Sequence, residues 1–213
     1  MSGLVCVTTP AAEPVSLADA KAHLRLDTDD EAGLLSLLIA GAREVAETVT
    51  ERALVTQTWR MSLDSWCERD GWRERVEPCL APVAGRVSGR IAVELPKPPL
   101  VSVGSVTTYD EAGVGTLWEP AAYFVDRTGA PGRIVRLRGA PWPVPGRAAG
   151  GIEIVFTAGY GGPEAVPAAL RQAILLLVAH WFENREPTPP RTIGAPIPAS
   201  VYGLLAPFRV MGL

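Results

Sequence analysis

The sequence has few of the residues from which metal sites, disulfide frameworks and catalytic triads are built. Its 213 residues include three cysteines, Cys6, Cys67 and Cys79, and two histidines, His23 and His180. The cysteines form neither a CxxC motif nor an even set, which argues against a zinc site and against a disulfide framework. We therefore expect no metal, no cofactor and no structural disulfide.

An excess of positive charge is also missing. The chain has 20 Lys and Arg against 23 Asp and Glu, and its formal net charge is -3 at pH 7. Modules that bind duplex nucleic acid are usually much more basic, because contacts with phosphate supply most of their affinity. The composition therefore does not indicate a basic surface that binds nucleic acid.

Long uninterrupted hydrophobic runs are absent too. The most apolar stretch, residues 165–182, is short for a membrane span and contains Arg171, Gln172 and His180. The first residues lack a basic region followed by an apolar run, so we expect no signal peptide. Since 47% of the residues are hydrophobic, the chain can bury a substantial core, and we expect a soluble globular protein.

The clearest secondary-structure pattern in the sequence lies in residues 151–186. Ile152, Ile154 and Phe156 occupy alternate positions, which predicts a strand with a buried face. A long helix should follow from Pro167, because proline suits the first helical position. This helix is apolar on nearly all sides up to its polar last turn, 183–186, so it should be central in a bundle or buried between subunits.

A glycine turn connects this strand and this helix. We predict a structural turn formed by Gly159, Tyr160 and Gly161, with Pro167 opening the helix, because glycine admits positive φ. A phosphate-binding loop is the alternative, since N–H groups at a helix start attract anions. No Lys-Ser or Lys-Thr follows the glycines, and Glu164 would repel an anion, so the structural turn is favoured.

Two further helices are predicted near the N-terminus. Ser16 to Asp19 resembles a capping box and should start a short helix that ends near Asp27, and residues 28–31 form a second capping box. A long helix should then occupy residues 30–52, with Arg43, Glu44, Glu47 and Glu51 off its apolar face. The residues on that face are Leu34, Leu35, Leu38, Ala42, Val45, Ala46 and Val49.

Between the helical ends the hydrophobic period changes to that of strands. A small antiparallel sheet is expected, which makes the fold α+β. Its predicted strands are residues 56–66, 91–95, 101–109, 115–118, 123–126, 133–137 and 152–157, with a hairpin turn at 110–113. The expected parts are an irregular N-terminal arm 1–15, helices in 16–54, strands in 55–157 with an irregular loop 67–90, the turn and core helix in 158–186, and a spacer and tail in 187–213.

The last part of the chain is proline-rich and then apolar. A disordered tail should be poor in hydrophobic residues, so we predict a segment that docks on another surface. The apolar residues are Ile197, Val201, Tyr202, Leu204, Leu205, Phe208, Val210 and Leu213.

Few residues are candidates for chemistry. His180 lies beside Trp181 with Glu183 nearby, but no motif places a nucleophile there, and a packed or capping histidine is the favoured interpretation. The acidic residues 27–31 lack the spacing of a calcium loop and are explained by helix capping. Six tryptophans could serve interfaces or the core.

Three arginines surround one predicted strand. Arg136 and Arg138 should share a face and Arg133 the other, so contact with phosphate is one interpretation and a solvated or subunit-facing edge is the favoured one. No catalytic constellation emerges from these candidates, and we do not expect an enzyme.

The order of several short motifs resembles a known family, the head-tail connector (adaptor) proteins of tailed bacteriophages and phage-like gene transfer agents. The motifs are VSLADAKAHLRL at 15–26, DDE at 29–31, LPKPPLVSV at 95–103, YFVD at 123–126, FTAGYG at 156–161, VP at 166–167 and HWFENRE at 180–186. Each is weak alone, but their order covers most of residues 15–186.

This resemblance implies a structural, non-enzymatic virion protein of the particle neck, assembled in the bacterial cytoplasm. It implies a homo-oligomeric ring of twelve subunits between the portal and the next head-completion (stopper) or tail-terminator protein, with double-stranded DNA passing through the lumen and no membrane partner. The C-terminal arm would dock on the portal through residues 197–213, and Arg133, Arg136 and Arg138 would face the lumen or a subunit interface. A soluble interaction module, or a small enzyme with a site near His180, is the alternative.

Overall fold

The computed structural model describes residues 3–66, 92–184 and 197–210. The chain forms two compact units: a β unit of Met1–Thr9 with Gln57–Ala158, and a helical unit of Pro10–Thr56 with Gly159–Leu213. The predictions for residues 67–91 (with Cys67, Trp72 and Cys79), 185–196 and Leu213 lie outside the described residues.

In the described part of the β unit there are two antiparallel sheets, where the sequence predicted one. The five-stranded sheet has the order β1-β2-β8-β4-β5 and the three-stranded sheet the order β3-β7-β6. The α+β class is confirmed. The strands are β1 Gly3–Thr8, β2 Gln57–Leu63, β3 Ala92–Leu95, β4 Leu100–Tyr109, β5 Gly115–Leu117, β6 Tyr123–Asp126, β7 Gly132–Arg136 and β8 Ile152–Ala158.

Strand β8 lies at the centre of the larger sheet and confirms the strongest sequence pattern. It pairs with β2 on one side and β4 on the other, both antiparallel. Ile152, Ile154 and Phe156 are fully buried, as their alternation indicated. The predicted hairpins, β4 with β5 and β6 with β7, are also present.

The predicted irregular N-terminal arm is wrong for β1. This strand pairs antiparallel with β2, from Gly3 opposite Ser62 to Cys6 opposite Trp59. It gave no alternating signal because neither of its faces is well buried, so no single face had to be apolar.

Aromatic side chains pack inside the β unit. Trp142 stacks on Trp66 with ring centroids 4.4 Å apart, and Trp118 lies 4.9 Å from Tyr123 by the same measure. The indole N–H of Trp66 donates to the carbonyl oxygen of Pro143 at 2.6 Å. The tryptophans of this cluster therefore serve the core of the unit.

Within the described residues, the helical unit contains four α-helices. They are α1 Leu17–Leu24, α2 Ala32–Thr50, α3 Ala168–Glu183 and α4 Ala199–Leu205, with a 3-10 turn at Ala206–Phe208. Helix α3 is confirmed as a core helix and ends where the backbone N–H of Asn184 donates to the carbonyl of His180. Its buried residues are Leu170, Ala173, Ile174, Leu177 and Val178.

Of the two predicted capping boxes, only the first forms. The hydroxyl oxygen of Ser16 accepts from the N–H of Asp19 at 3.1 Å, and the Asp19 carboxylate accepts from the N–H of Ser16 at 3.2 Å. Helix α2 begins at Ala32 without a side-chain cap. The carboxylate of Asp29 instead accepts from the ammonium group of Lys21.

Two charged residues of α2 are buried, contrary to the predicted polar face. Arg43 and Glu47 are both largely inaccessible. Arg43 Nε donates to Glu13 at 2.8 Å and its Nη1 donates to Glu47 at 2.9 Å. Glu47 also accepts from the backbone N–H of Leu54 at 2.9 Å, so the polar groups satisfy one another.

The glycine turn has the geometry that only glycine adopts readily. Gly159 has φ +130° and Gly161 has φ +129°. The backbone N–H of Tyr160 donates to Leu54, and that of Thr56 donates to Gly161, both at 3.0 Å. These bonds tie the turn before α3 to the segment after α2.

Candidate interaction surfaces

The C-terminal segment is not the extended tail that the sequence predicted. Residues 199–208 form α4 and the following 3-10 turn, and Val201 (1% exposed) and Leu205 (0%) lie in the core of the helical unit. Arg52 Nε donates to the carbonyl of Phe208 at 2.5 Å, and the N–H of Val210 donates to Thr50 at 3.1 Å. The apolar residues therefore have a partner within their own chain.

A sequence signal for this arrangement was available. Val201, Leu204, Leu205 and Phe208 stand at positions i, i+3, i+4 and i+7, the spacing of an amphipathic helix. Leu204 and Phe208 are partly buried against the core, as is Ile197. The period of these residues, rather than the composition of the segment, indicates the helix.

What this segment leaves on the surface is mainly Tyr202. Its side chain is 44% exposed, and its hydroxyl accepts from Arg209 Nη1 at 3.0 Å. Val210 is half-buried. The predicted docking residues thus divide into a buried pair, a partly buried group and one exposed aromatic ring.

The three candidate arginines do not share the predicted strand. Strand β7 ends at Arg136, so Arg138 lies beyond it and the predicted common face is wrong. Arg133 Nε donates to Asp126 at 2.9 Å, and Arg136 Nη1 donates to the carbonyl of Ala140 at 3.1 Å. Arg138 is exposed.

Asp126 carries a compensating charge beside Arg133. The side chain and the backbone N–H of Thr128 both donate to its carboxylate, at 2.6 and 3.0 Å. These hydrogen bonds, with Arg133, lower the pKa of Asp126 from 3.8 to about 2. Part of the positive charge at this edge is therefore neutralised locally.

The two histidines lie in ordinary helical positions. The carbonyl of His180 accepts from the side-chain amide of Asn184 at 2.8 Å, and its Nδ1 lies 3.4 Å from the same nitrogen. His23 is exposed on α1. In residues 3–66, 92–184 and 197–210, no cluster of His, Cys, Asp or Glu could hold a metal ion.

A cleft of about 470 Å³ opens within the helical unit. Glu13, Asp19, Glu164 and Arg171 line it, and the Arg171 Nε is buried without a hydrogen-bond partner in the described part of the chain. The hydroxyl of Ser16, also at the cleft, donates to Asp19 at 2.7 Å. That hydroxyl serves the helix cap, and the cleft lining includes no histidine or cysteine that could act as a base or nucleophile.

None of the helices in the described ranges has the length and apolarity that a bilayer span requires. Residues 14–70 match the model of the phage gp6-like head-tail connector protein family. This stretch comprises α1, α2 and β2. A search of the curated proteins finds no significant match.

Solved structures match over almost the whole chain. A chain from the neck of an empty GTA particle, computed with C6 symmetry, has 27% identity and a TM-score of 0.76 over 99% of this chain and 97% of its own. A chain from the neck of a native GTA particle, computed with C12 symmetry, has 27% identity and a TM-score of 0.68 over 100% and 97%. One from the virion of a native gene transfer agent (GTA) particle shares the fold, at 24% identity and a TM-score of 0.73 over 99% and 96%.

These comparisons make the chain similar to proteins of a phage-type neck. The resemblance to the head-tail connector family is confirmed by sequence over residues 14–70, and the fold of almost the whole chain is similar to that of chains from GTA necks. The matched particles are gene transfer agents, which the sequence had indicated alongside tailed phages.

Proposed function

We propose that this chain is a structural, non-enzymatic neck protein that connects the head and the tail of a phage or phage-like gene transfer particle. The observation that carries the proposal is the near-complete match, with a TM-score of 0.76, to a chain from the neck of a GTA particle. The matched chain is covered to 97%, so the likeness extends to the whole protein rather than to one shared unit.

In this proposal the protein forms a ring of twelve copies. One matched neck was computed with C12 symmetry and another with C6 symmetry, both of which suit a twelve-membered ring. The ring would lie between the portal and the next head-completion (stopper) or tail-terminator protein. It would be added to the particle in the bacterial cytoplasm.

Double-stranded DNA would pass through the lumen of the ring. A chain with net charge -3 suits a conduit, because many phosphate contacts would hold the DNA rather than let it move. Arg133, Arg136 and Arg138 remain candidates for the lumen or for a subunit interface. The ion pair of Arg133 with Asp126 reduces its attraction for phosphate.

Docking on the portal would involve the surface of the C-terminal segment rather than all of its apolar residues. Val201 and Leu205 hold α4 against its own unit, so they are anchors of the segment. Tyr202 projects from the same helix and is the exposed aromatic group there. Aromatic side chains of this kind are enriched where protein surfaces meet.

The test is to mix the purified chain with the portal ring of the same particle and weigh the products by native mass spectrometry. We expect the wild-type chain to add with a fixed ring stoichiometry and Tyr202→Asp to add at least ten-fold less. Val114→Asp is a matched control, because Val114 is also an exposed apolar residue but belongs to the β unit, whereas Tyr202 belongs to the helical unit. A truncation after Pro190 would not serve, since it removes Val201 and Leu205 from the core.

The outcomes separate the two parts of the proposal. If Tyr202→Asp adds as well as wild type, the docking surface is wrong and the connector stands. If the wild-type chain does not add to the portal at all, the proposed function is wrong.

A further inference from the structure

Helix α2 has a second apolar stripe besides the one that faces the core. The core stripe is almost fully buried and consists of Leu35, Ile39, Ala42 and Ala46. The second stripe lies about 100° further round the helix, and its members are Leu34, Leu37, Leu38, Gly41 and Val45. Leu37 is 70% exposed and the others are half-buried. The helix is therefore apolar over more of its circumference than its own unit covers.

The uncovered part of this stripe lies in the N-terminal half of α2. A Cβ on Gly41 would lie 3.6 Å from the ring of Trp181, so α3 covers the stripe at that point. A Cβ on Gly33, one turn before Leu37, would meet nothing within 4 Å. We call this open part, together with the acidic turn 27–31 that precedes the helix, the α2 surface. An exposed apolar patch with a polar rim is typical of a contact with another protein.

A second exposed apolar surface is formed by the β6–β7 hairpin. Phe124 is 57% exposed and lies opposite Val135 in the strand pairing. Ile134, the neighbour of Val135, is fully buried, so Phe124 and Val135 lie on the outer face of the three-stranded sheet. Leu137, just after β7, is 44% exposed. We call residues 123–138 the hairpin surface.

The two surfaces carry opposite charge. Residues 27–51 contain seven carboxylates and one arginine, whereas residues 123–138 contain four arginines and one aspartate. Asp126 and, on the neighbouring strand, Glu94 offset two of these arginines. Two others donate hydrogen bonds to neutral carbonyl oxygens, and Arg138 is exposed. The hairpin surface therefore stays positive, while the α2 surface is negative.

A closed ring requires two different surfaces on every copy, each complementary to the other. We propose that the α2 surface of one copy packs against the hairpin surface of the next copy, with Leu37 and Phe124 at the centre of the contact. The inference rests on the proposed ring and names the surfaces by which neighbouring copies meet.

Burial of the exposed apolar side chains would supply the affinity of this contact, and the opposite charges around them its orientation. An apolar centre with aromatic and arginine side chains is typical of protein interfaces. A second copy is favoured over a different protein because both complementary surfaces occur on this one chain.

A charge of the wrong sign at the centre of either surface should prevent the contact. Leu37→Arg presents a like charge to the arginines of the hairpin surface, and Phe124→Glu presents one to the acidic α2 surface. Native mass spectrometry on the portal ring should show that each variant needs at least ten-fold more protein than wild type to complete the ring. Val144→Arg should match wild type, because Val144 is 89% exposed in a loop and belongs to neither surface.

Two further measurements separate a lost contact from a lost fold. Thermal melts of the variant monomers should agree with wild type within a few degrees, because Leu37 and Phe124 are mostly exposed. Arg138→Glu changes an exposed charge of the hairpin surface without removing an apolar group, and it should raise the protein needed by about three-fold.

The double variant Leu37→Arg with Phe124→Glu tests whether the two surfaces meet. It brings the introduced charges together as an opposite pair, so ring completion should return to within about three-fold of wild type. Wild-type behaviour of both single variants, a loss in only one of them, or no recovery in the double variant overturns this contact while the connector stands. A wild-type chain that never adds to the portal overturns the proposed function and the contact together.

Discussion

Arg43 places a permanent charge inside the helical unit, and its neighbours explain how it is accommodated. Burial by itself would lower the pKa of Arg43, but Glu47 and Glu13 raise it above the usual value, so the guanidinium stays charged. Glu47 is shared between this ion pair and the backbone N–H of Leu54. The pair therefore links α2 to the segment that follows it.

We expect Glu47→Ala to lower the free energy of unfolding by about 3–5 kcal/mol, because it leaves a buried guanidinium and a buried N–H without their acceptor. Urea denaturation followed by circular dichroism measures the change. Glu44→Ala is the matched control: Glu44 is exposed and 3.4 Å from Arg43, so its loss should cost about 0–1 kcal/mol. Equal losses of unfolding free energy in the two variants would contradict the role given to Glu47.

Asp126 gives a prediction at the surface. Its folded-state pKa, about 2, lies below the ordinary value of 3.8, so the carboxylate stabilises the fold above pH 4 and this contribution is lost as the pH falls towards 2. Thr128→Val and Arg133→Ala should each raise the pKa of Asp126, because the Thr128 hydroxyl and Arg133 both stabilise the charged carboxylate. Carbon-detected NMR titration of the carboxyl group checks this, and an unchanged pKa in both variants would contradict it.

At the scale of elements, prediction from sequence succeeded where one face of an element is buried. Strand β8 and helix α3 have a clear period because their inner positions must be apolar. Strand β1 lacks such a face and was missed. The capping box predicted at residues 28–31 does not form: α2 begins at Ala32 without a side-chain cap, and the Asp29 carboxylate bonds Lys21.

Gly159, in the turn between β8 and α3, can be compared with Gly113, in the turn between β4 and β5. Both Gly159 and Gly113 have positive φ, but a Cβ on Gly159 would lie 2.5 Å from the carbonyl oxygen of Val55, whereas one on Gly113 would meet nothing within 4 Å. Gly113→Ala should cost about 1–2 kcal/mol from backbone strain alone. Gly159→Ala should cost about 1–3 kcal/mol more because the backbone must move.

Thermal and urea unfolding of the two alanine variants measure this difference. Both substitutions add a methyl group to a glycine of positive φ, but only at Gly159 would that methyl group meet the backbone of Val55. If both variants lose a similar free energy of unfolding, the turn adjusts freely and the tight packing inferred for Gly159 is wrong.

For the whole molecule, the resemblance to the family could be predicted because several weak motifs occur in one order along the chain. The helical unit holds the motif at residues 15–26 and the β unit the motif at 123–126, so the order reflects the complete fold. The candidate sites were harder. Burial of Val201 and Leu205 depends on which elements meet, and the composition of a segment does not determine that.

The proposed passage of DNA requires that the protein surround the duplex without holding it. At net charge -3, with Arg133 paired to Asp126, we expect the isolated chain to show no saturable binding to a labelled duplex at micromolar concentration in 50 mM salt. Fluorescence anisotropy at 50 and 200 mM salt measures this, with Asp126→Asn as the comparison because it exposes the arginine. Sub-micromolar binding by the wild-type chain that weakens steeply with salt would indicate a DNA-binding surface and would contradict a passive conduit. Weak binding that appears only in Asp126→Asn would indicate that the ion pair keeps Arg133 from phosphate.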